Sequence, residues 1–180
     1  MRGWLTRALI SAGLALVVAV PATESLAQKT PAPTTRNAVE LGFNLCLQAL
    51  GNIETMSDSL AALGWTIEED RFVGPYAYEL RANQSDDRRG NSFFYASVEI
   101  YATVEIGYCS LAVEGTPEIV DLREVTRLYD MEGETQISDE GAYGTWEAVL
   151  DMATIFVLAH QEDDKFFFQL TTVSQRSGNR

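Results

Sequence analysis

The chain has a single histidine, His160, and only two cysteines, Cys46 and Cys109, in 180 residues. That scarcity removes several chemistries at once. A zinc centre would need soft ligands beyond two thiols and one imidazole. A thiol nucleophile would have only His160 to serve as its base. The sequence also has no G-x-S-x-G elbow and no glycine-rich phosphate cradle. Cations are short as well: 13 Lys and Arg stand against 26 Asp and Glu, a net charge of −13. Such a surface repels phosphate backbones and anionic membranes, so nucleic acid is excluded as a partner. It keeps the chain soluble and would attract basic partners or divalent ions.

Long apolar runs are missing too, with one short exception. Ala8 to Val20 is an unbroken stretch of thirteen apolar or small residues behind Arg2 and Arg7. As a helix it would reach about 20 Å, short of the ~30 Å of a hydrocarbon core. Pro21 breaks it, and Ser25 and Ala27 are the small residues that a signal peptidase requires. Residues 1–27 are therefore expected to be a cleavable signal peptide, with Ala22 as a second candidate cut. No cysteine lies beside either cut, so no lipid anchor is expected once the signal is removed. Loss of Arg2, Arg7 and Glu24 takes the net charge from −13 to −14. The compact, Ala-rich leader has a bacterial style, which places the product in the periplasm or outside the cell. In that setting the sequon Asn83–Ser85 has no consequence.

An exported chain with two cysteines is expected to pair them. Joining Cys46 to Cys109 closes a long loop, and leaves neither sulfur free for reaction. Two buried, unpaired thiols are the alternative.

Residues 28–36, "QKTPAPTTR", form a Pro/Thr tether without apolar period. From Asn37 the pattern is helical: Val39, Phe43, Cys46, Leu50 and Ile53 recur at four-three spacing, so Cys46 faces inward. Met56, Leu60 and Leu63 continue the stripe beyond a break at Gly51–Asn52, and Gly64 gives a stop that lets Trp65 fold back. Alternation follows. Residues 72–82 read as a strand, 83–91 as a polar hairpin loop, and Phe94 to Ile106 as one long strand. Gly107 is read as a turn or bulge before a third strand that carries Cys109, Leu111 and Val113. Thr116, Pro117 and Glu118 open a second helix over 117–129, which Gly133 ends. Strands around 135–138, 145–152, 153–161 and 166–174 complete the domain, and 175–180 is a frayed tail.

These readings predict one α+β domain over 37–174. Two helices pack on a mainly antiparallel sheet in the order α-β-β-β-α-β-β-β. A helix followed by a meander occurs twice, which raises the possibility of an internal duplication.

Candidate sites are sparse. Asp130, Glu132 and Glu134 are spaced by two, yet Thr135 and Gly141 stand where an EF-hand loop needs Gly and Glu. No metal site and no cofactor are therefore expected. His160 lies beside the acidic turn "EDDK" and is a weak candidate for chemistry with a carboxylate. Aromatic residues are more telling. Phe93, Tyr95 and Tyr101 fall on the strand face opposite its aliphatic row, and Phe167 points away from Phe166 and Phe168. A sheet face of aromatics and acids suits a protein partner, self-association or a sugar-like ligand. The expected function is a small, acidic, non-enzymatic binding or accessory protein acting through Phe93, Tyr95, Tyr101 and Phe167. The alternative is a hydrolase that uses carboxylates or a divalent ion.

Overall fold

A computed structural model describes residues 35–86, 90–115, 120–123, 125–126, 130–150 and 152–176; for 35–37 and 86 only the backbone is described. The predicted signal peptide lies outside the described residues, as does the tether up to 34. Helix α1 runs Thr35–Gly51, two residues earlier than its apolar period indicates. Asn52 interrupts the ladder, a 3-10 turn covers Ile53–Thr55, and helix α2 spans Met56–Ala62. The stripe read from the sequence is the buried one: Val39, Phe43, Cys46, Ile53, Met56 and Leu60 are all in the core. Leu63 is not, being 59% exposed. It occupies the cap, where the chain turns away. Gly64 takes φ +85°, and the amides of Gly64 and Trp65 donate to the carbonyls of Ala61 and Leu60, each at 3.0 Å. This Schellman arrangement folds Trp65 back onto the core, edge-on to Phe94 at 6.1 Å.

Eight strands follow: β1 Thr66–Phe72, β2 Ala77–Asp86, β3 Gly90–Ile100, β4 Val104–Glu114, β5 Glu132–Ser138, β6 Gly141–Leu150, β7 Ala153–Glu162 and β8 Lys165–Gln175. They form one antiparallel sheet in the order β1-β2-β3-β4-β8-β7-β6-β5. The α+β class and the antiparallel sheet hold; α1 and α2, the helices whose full bounds are described, both precede the strands. The second predicted helix, 117–129, falls largely outside the described residues. Within it, Val120, Leu122 and Val125 are buried, Leu122–Arg123 form a turn and Val125–Thr126 are helical.

Several boundaries differ for identifiable reasons. β1 escaped the sequence reading because "EED" at 68–70 hides its alternation, and its register shifts between Ile67 and Glu69. Residues 73–76 are the turn into β2, closed by the amide of Val73 on the carbonyl of Ala77 at 2.8 Å. The polar segment 83–91 is mostly strand: Asn83, Gln84 and Ser85 pair with Phe93, Ser92 and Asn91, so the sequon is not in a loop. The long strand ending at Ile106 is two strands, with a three-residue connection at Tyr101–Thr103. Val104 and Ile106 therefore face away from Phe94. Gly107 is mid-strand, where Leu50 of α1 sits so close that a built Cβ would lie 2.9 Å from its Cδ2. Gly133 belongs to β5 rather than to a helix end. At the C-terminus, Arg176 is held by its amide on the carbonyl of Thr103 at 2.9 Å. Residues 177–180, the rest of the predicted tail, lie outside the described residues.

The inner face of the sheet is the core. Cross-strand rows such as Leu80–Ala96–Cys109–Leu170–Val157–Trp146 are buried throughout. Helix α1 covers β3, β4 and β8, and α2 covers β1. The 120s segment covers the far half: the amide of Val120 donates to Gln161 Oε1 at 2.7 Å, and Trp146 Nε1 donates to Thr126 Oγ1 at 3.2 Å. Cys46 and Cys109 form a disulfide with Cα atoms 5.3 Å apart, joining α1 to β4. Both cysteines are fully buried.

The two halves of the sheet share one plan. Reading outward from the centre, β4-β3-β2-β1 is matched by β8-β7-β6-β5, and β4 pairs antiparallel with β8 along its whole length. The strand orders of the two halves correspond to a two-fold rotation about the sheet normal. The matched order is what an internal duplication requires.

Candidate functional site

Side chains alternate across a strand, so each buried inner row implies an outer one. No described element covers that outer face. One row across it reads Phe93, Ala112, Phe167, His160 and Tyr143; the next reads Arg81, Tyr95, Ser110, Gln169, Leu158 and Thr145. A third places Ser97, Tyr108, Thr171, Phe156 and Glu147 side by side. Phe93, Tyr143 and Phe156 are 48%, 47% and 43% exposed, an unusual display of large rings for a sheet face.

Of the residues singled out from the sequence, Phe93, Tyr95, Phe167 and His160 are brought onto this face. Phe167 and His160 are in contact, ring centroids 5.1 Å apart and tilted by 37°. They line a shallow groove of about 430 Å³ with Phe93, Glu114, Glu162 and Lys165. Tyr101 is separate. It leaves the strand at the β3–β4 connection, where its hydroxyl donates to Glu99. Tyr108, Tyr143 and Phe156 were missed. Their signal was parity: Tyr108, Tyr143 and Phe156 are the immediate neighbours of the inward residues Cys109, Ala142 and Val157.

The charges on the face differ between its halves. On the β1–β2 side, Arg81 Nε lies 3.3 Å from Glu69 Oε2 and its Nη2 lies 4.0 Å from Glu79. The Arg81 guanidinium also sits 5.4 Å from the centre of the Tyr95 ring, a cation–π contact. Tyr95 in turn donates to Glu79 at 3.3 Å, and its phenol is pushed up, chiefly by burial. Arg71 lies 3.5 Å from Glu69. On the β5–β7 side, Glu132 stands directly opposite Glu147, and Glu134 follows on the same face. Strands β5, β6 and β7 contain no lysine or arginine. Among the described residues no three His, Cys, Asp or Glu side chains are grouped so that they could hold a metal ion.

At the edge of the inner face, Tyr78 donates to Asp70 and meets Phe72 edge-on at 4.9 Å. Its phenol is pushed up to about 12 by burial first, then by the hydrogen bond and charge of Asp70, with Glu54 adding to them. The folded chain thus favours neutral Tyr78. Its contribution to stability is complete below pH 10.0, the ordinary phenol value, and is lost as pH rises towards 12. A spectrophotometric titration should show one tyrosine ionising near 12, moved down in Asp70→Asn. An unchanged midpoint in that variant would remove Asp70 as a cause.

Compared with known proteins, the chain matches no family model, no curated protein and no solved structure. The site is therefore read from its geometry alone. Among the described residues, no helix is long and apolar enough to cross a membrane.

Proposed function

We propose that this chain is an exported, periplasmic, non-enzymatic binding protein that works through the outer face of its sheet. One observation carries the reading. A single eight-stranded sheet has one face covered by helices and the 120s segment, while the other face presents Phe93, Tyr143 and Phe156 to solvent. Two-layer domains use one sheet face for the core. An open face would ordinarily be polar on every strand. Rings retained there at a cost in solubility point to a partner that covers them. The leader pattern at 1–27 and the Cys46–Cys109 disulfide support export, because disulfides persist in oxidising compartments.

Site-specific photo-crosslinking in the periplasm tests this. A photoreactive residue in place of Phe93 or Phe167 is expected to trap a discrete partner. The same residue at Asn44, exposed on α1, is expected to trap none. Equal adducts from both faces, or adducts from Asn44 alone, would contradict the proposal.

A further inference from the structure

Resting on that reading, we propose that the partner is a polypeptide segment in which lysine or arginine alternates with apolar residues. It docks on the β5–β7 half of the outer face. The distribution of charge selects this occupant. Every cation described on the face already has a carboxylate directly across from it: Arg71 faces Glu79, Arg81 faces Glu69, and Lys165 faces Glu114 and Glu162. On β5 and β6 the reverse holds. Glu132 and Glu147 face each other with Glu134 alongside, and no lysine or arginine lies on β5, β6 or β7 to balance them.

Like charges directly opposed across a strand pair destabilise a sheet. A cation laid between Glu132 and Glu147 removes that repulsion. Glu147 also pairs with Phe156, which is 43% exposed, so one ammonium or guanidinium can meet a carboxylate and a ring face together. Val149, 73% exposed two residues along the same face, offers contact for an apolar neighbour in the ligand. A second copy of the chain fits poorly. Stacked on this face it would bring the same excess of carboxylate, and its Arg71 and Arg81 are already engaged. A lone metal ion fits no better, since no three donors are grouped to hold one among the described residues.

The test is fluorescence anisotropy with a labelled synthetic peptide of alternating lysine and valine, on the disulfide-bonded chain. Binding is expected, weakening as salt is raised. Glu132→Gln and Glu147→Gln should each weaken it about three- to five-fold, the upper range for exposed charge pairs. Asp58→Asn, exposed on α2, should leave it unchanged. In the free chain Glu147→Gln should raise the melting temperature by about 1–3 °C, as relief of a like-charge pair predicts. That opposite movement of stability and affinity is not the signature of a structural residue.

Absence of peptide binding would overturn the proposal, as would equal affinity for wild type and the Glu132→Gln/Glu147→Gln double variant. So would dimerisation through this face, or preference for a neutral oligosaccharide over the peptide. If the crosslinks from Phe93 and Phe167 persist in any of these cases, only this inference fails; if they are lost as well, the sheet-face reading fails with it.

Discussion

Replacing Cys46 and Cys109 with alanine is expected to lower the stability of the chain by about 4 kcal/mol. The bridge joins residues 63 apart, and the chain-entropy relation gives about 4 kcal/mol for a loop of that size. Both half-cystines are fully buried, one on the inward face of α1 and one on the central strand β4. Alanine avoids burying a hydroxyl at either position. For a domain of this length the melting temperature should fall by about 8–16 °C. Calorimetry of the double variant, with reduced wild type in parallel, measures it. A fall of only a degree or two in both samples would mean that α1 is held on the sheet by packing alone. The sequence expectation of a covalent tie would then be structurally correct but energetically idle.

Phe168→Ala is expected to be comparably severe, costing about 3–5 kcal/mol as large-to-small changes do in a closed core. Phe168 is fully buried on β8, next to the sheet centre, and meets Phe43 of α1 edge-on at 4.9 Å. Gly42 explains why the helix can come so close. A Cβ built there would lie 2.6 Å from Phe168 Cγ, inside contact distance. Gly42→Ala should consequently destabilise the wild type, although helix propensity alone favours alanine by about 1 kcal/mol. In the Phe168→Ala background the same change should become neutral or stabilising, a coupling that a double-mutant cycle reads directly. Phe167→Ala, one residue away on the outer face, should cost far less, because its ring is only partly covered. Similar losses at 167 and 168 in denaturant titrations would contradict the assignment of faces.

These expectations rest on features that differ in how plainly the sequence displays them. The stripe from Val39 to Leu60 was legible because helical spacing and burial coincide on one covered face, and Cys46 on that stripe made its pairing with Cys109 geometrically natural. The strand segments of the second half were legible in place, although the predicted order allowed three strands after the second helix and the sheet has four there. The break at Tyr101–Thr103 was not legible. Val104 and Ile106 are apolar on the outer face, so the alternation continues smoothly through a connection that exchanges inside for outside. Where both faces carry apolar side chains, parity cannot say which one is core. The same ambiguity misassigned Tyr101, which shares parity with Phe93 and Tyr95 but lies beyond the end of β3.

The candidate site was half visible for a related reason. Phe93, Tyr95 and Phe167 announce themselves by breaking the polar side of an alternating strand. Phe156 and Tyr143 needed the inner face of β6 and β7 to be known first. The opposition of Glu132 and Glu147 is a matter of register between two strands, which no single-strand pattern encodes. His160 illustrates the converse. A lone histidine beside acids invites a catalytic reading, and the fold places it against Phe167 in the aromatic row.

Carbene footprinting of the free chain, read residue by residue, tests most directly whether the outer sheet face is bare. The account predicts strong labelling of Phe93, Tyr143 and Phe156 with protection of Phe94, Phe166 and Phe168. Protection of the first set to the level of the second would show that the chain itself covers this face, and the binding role assigned to it would fall.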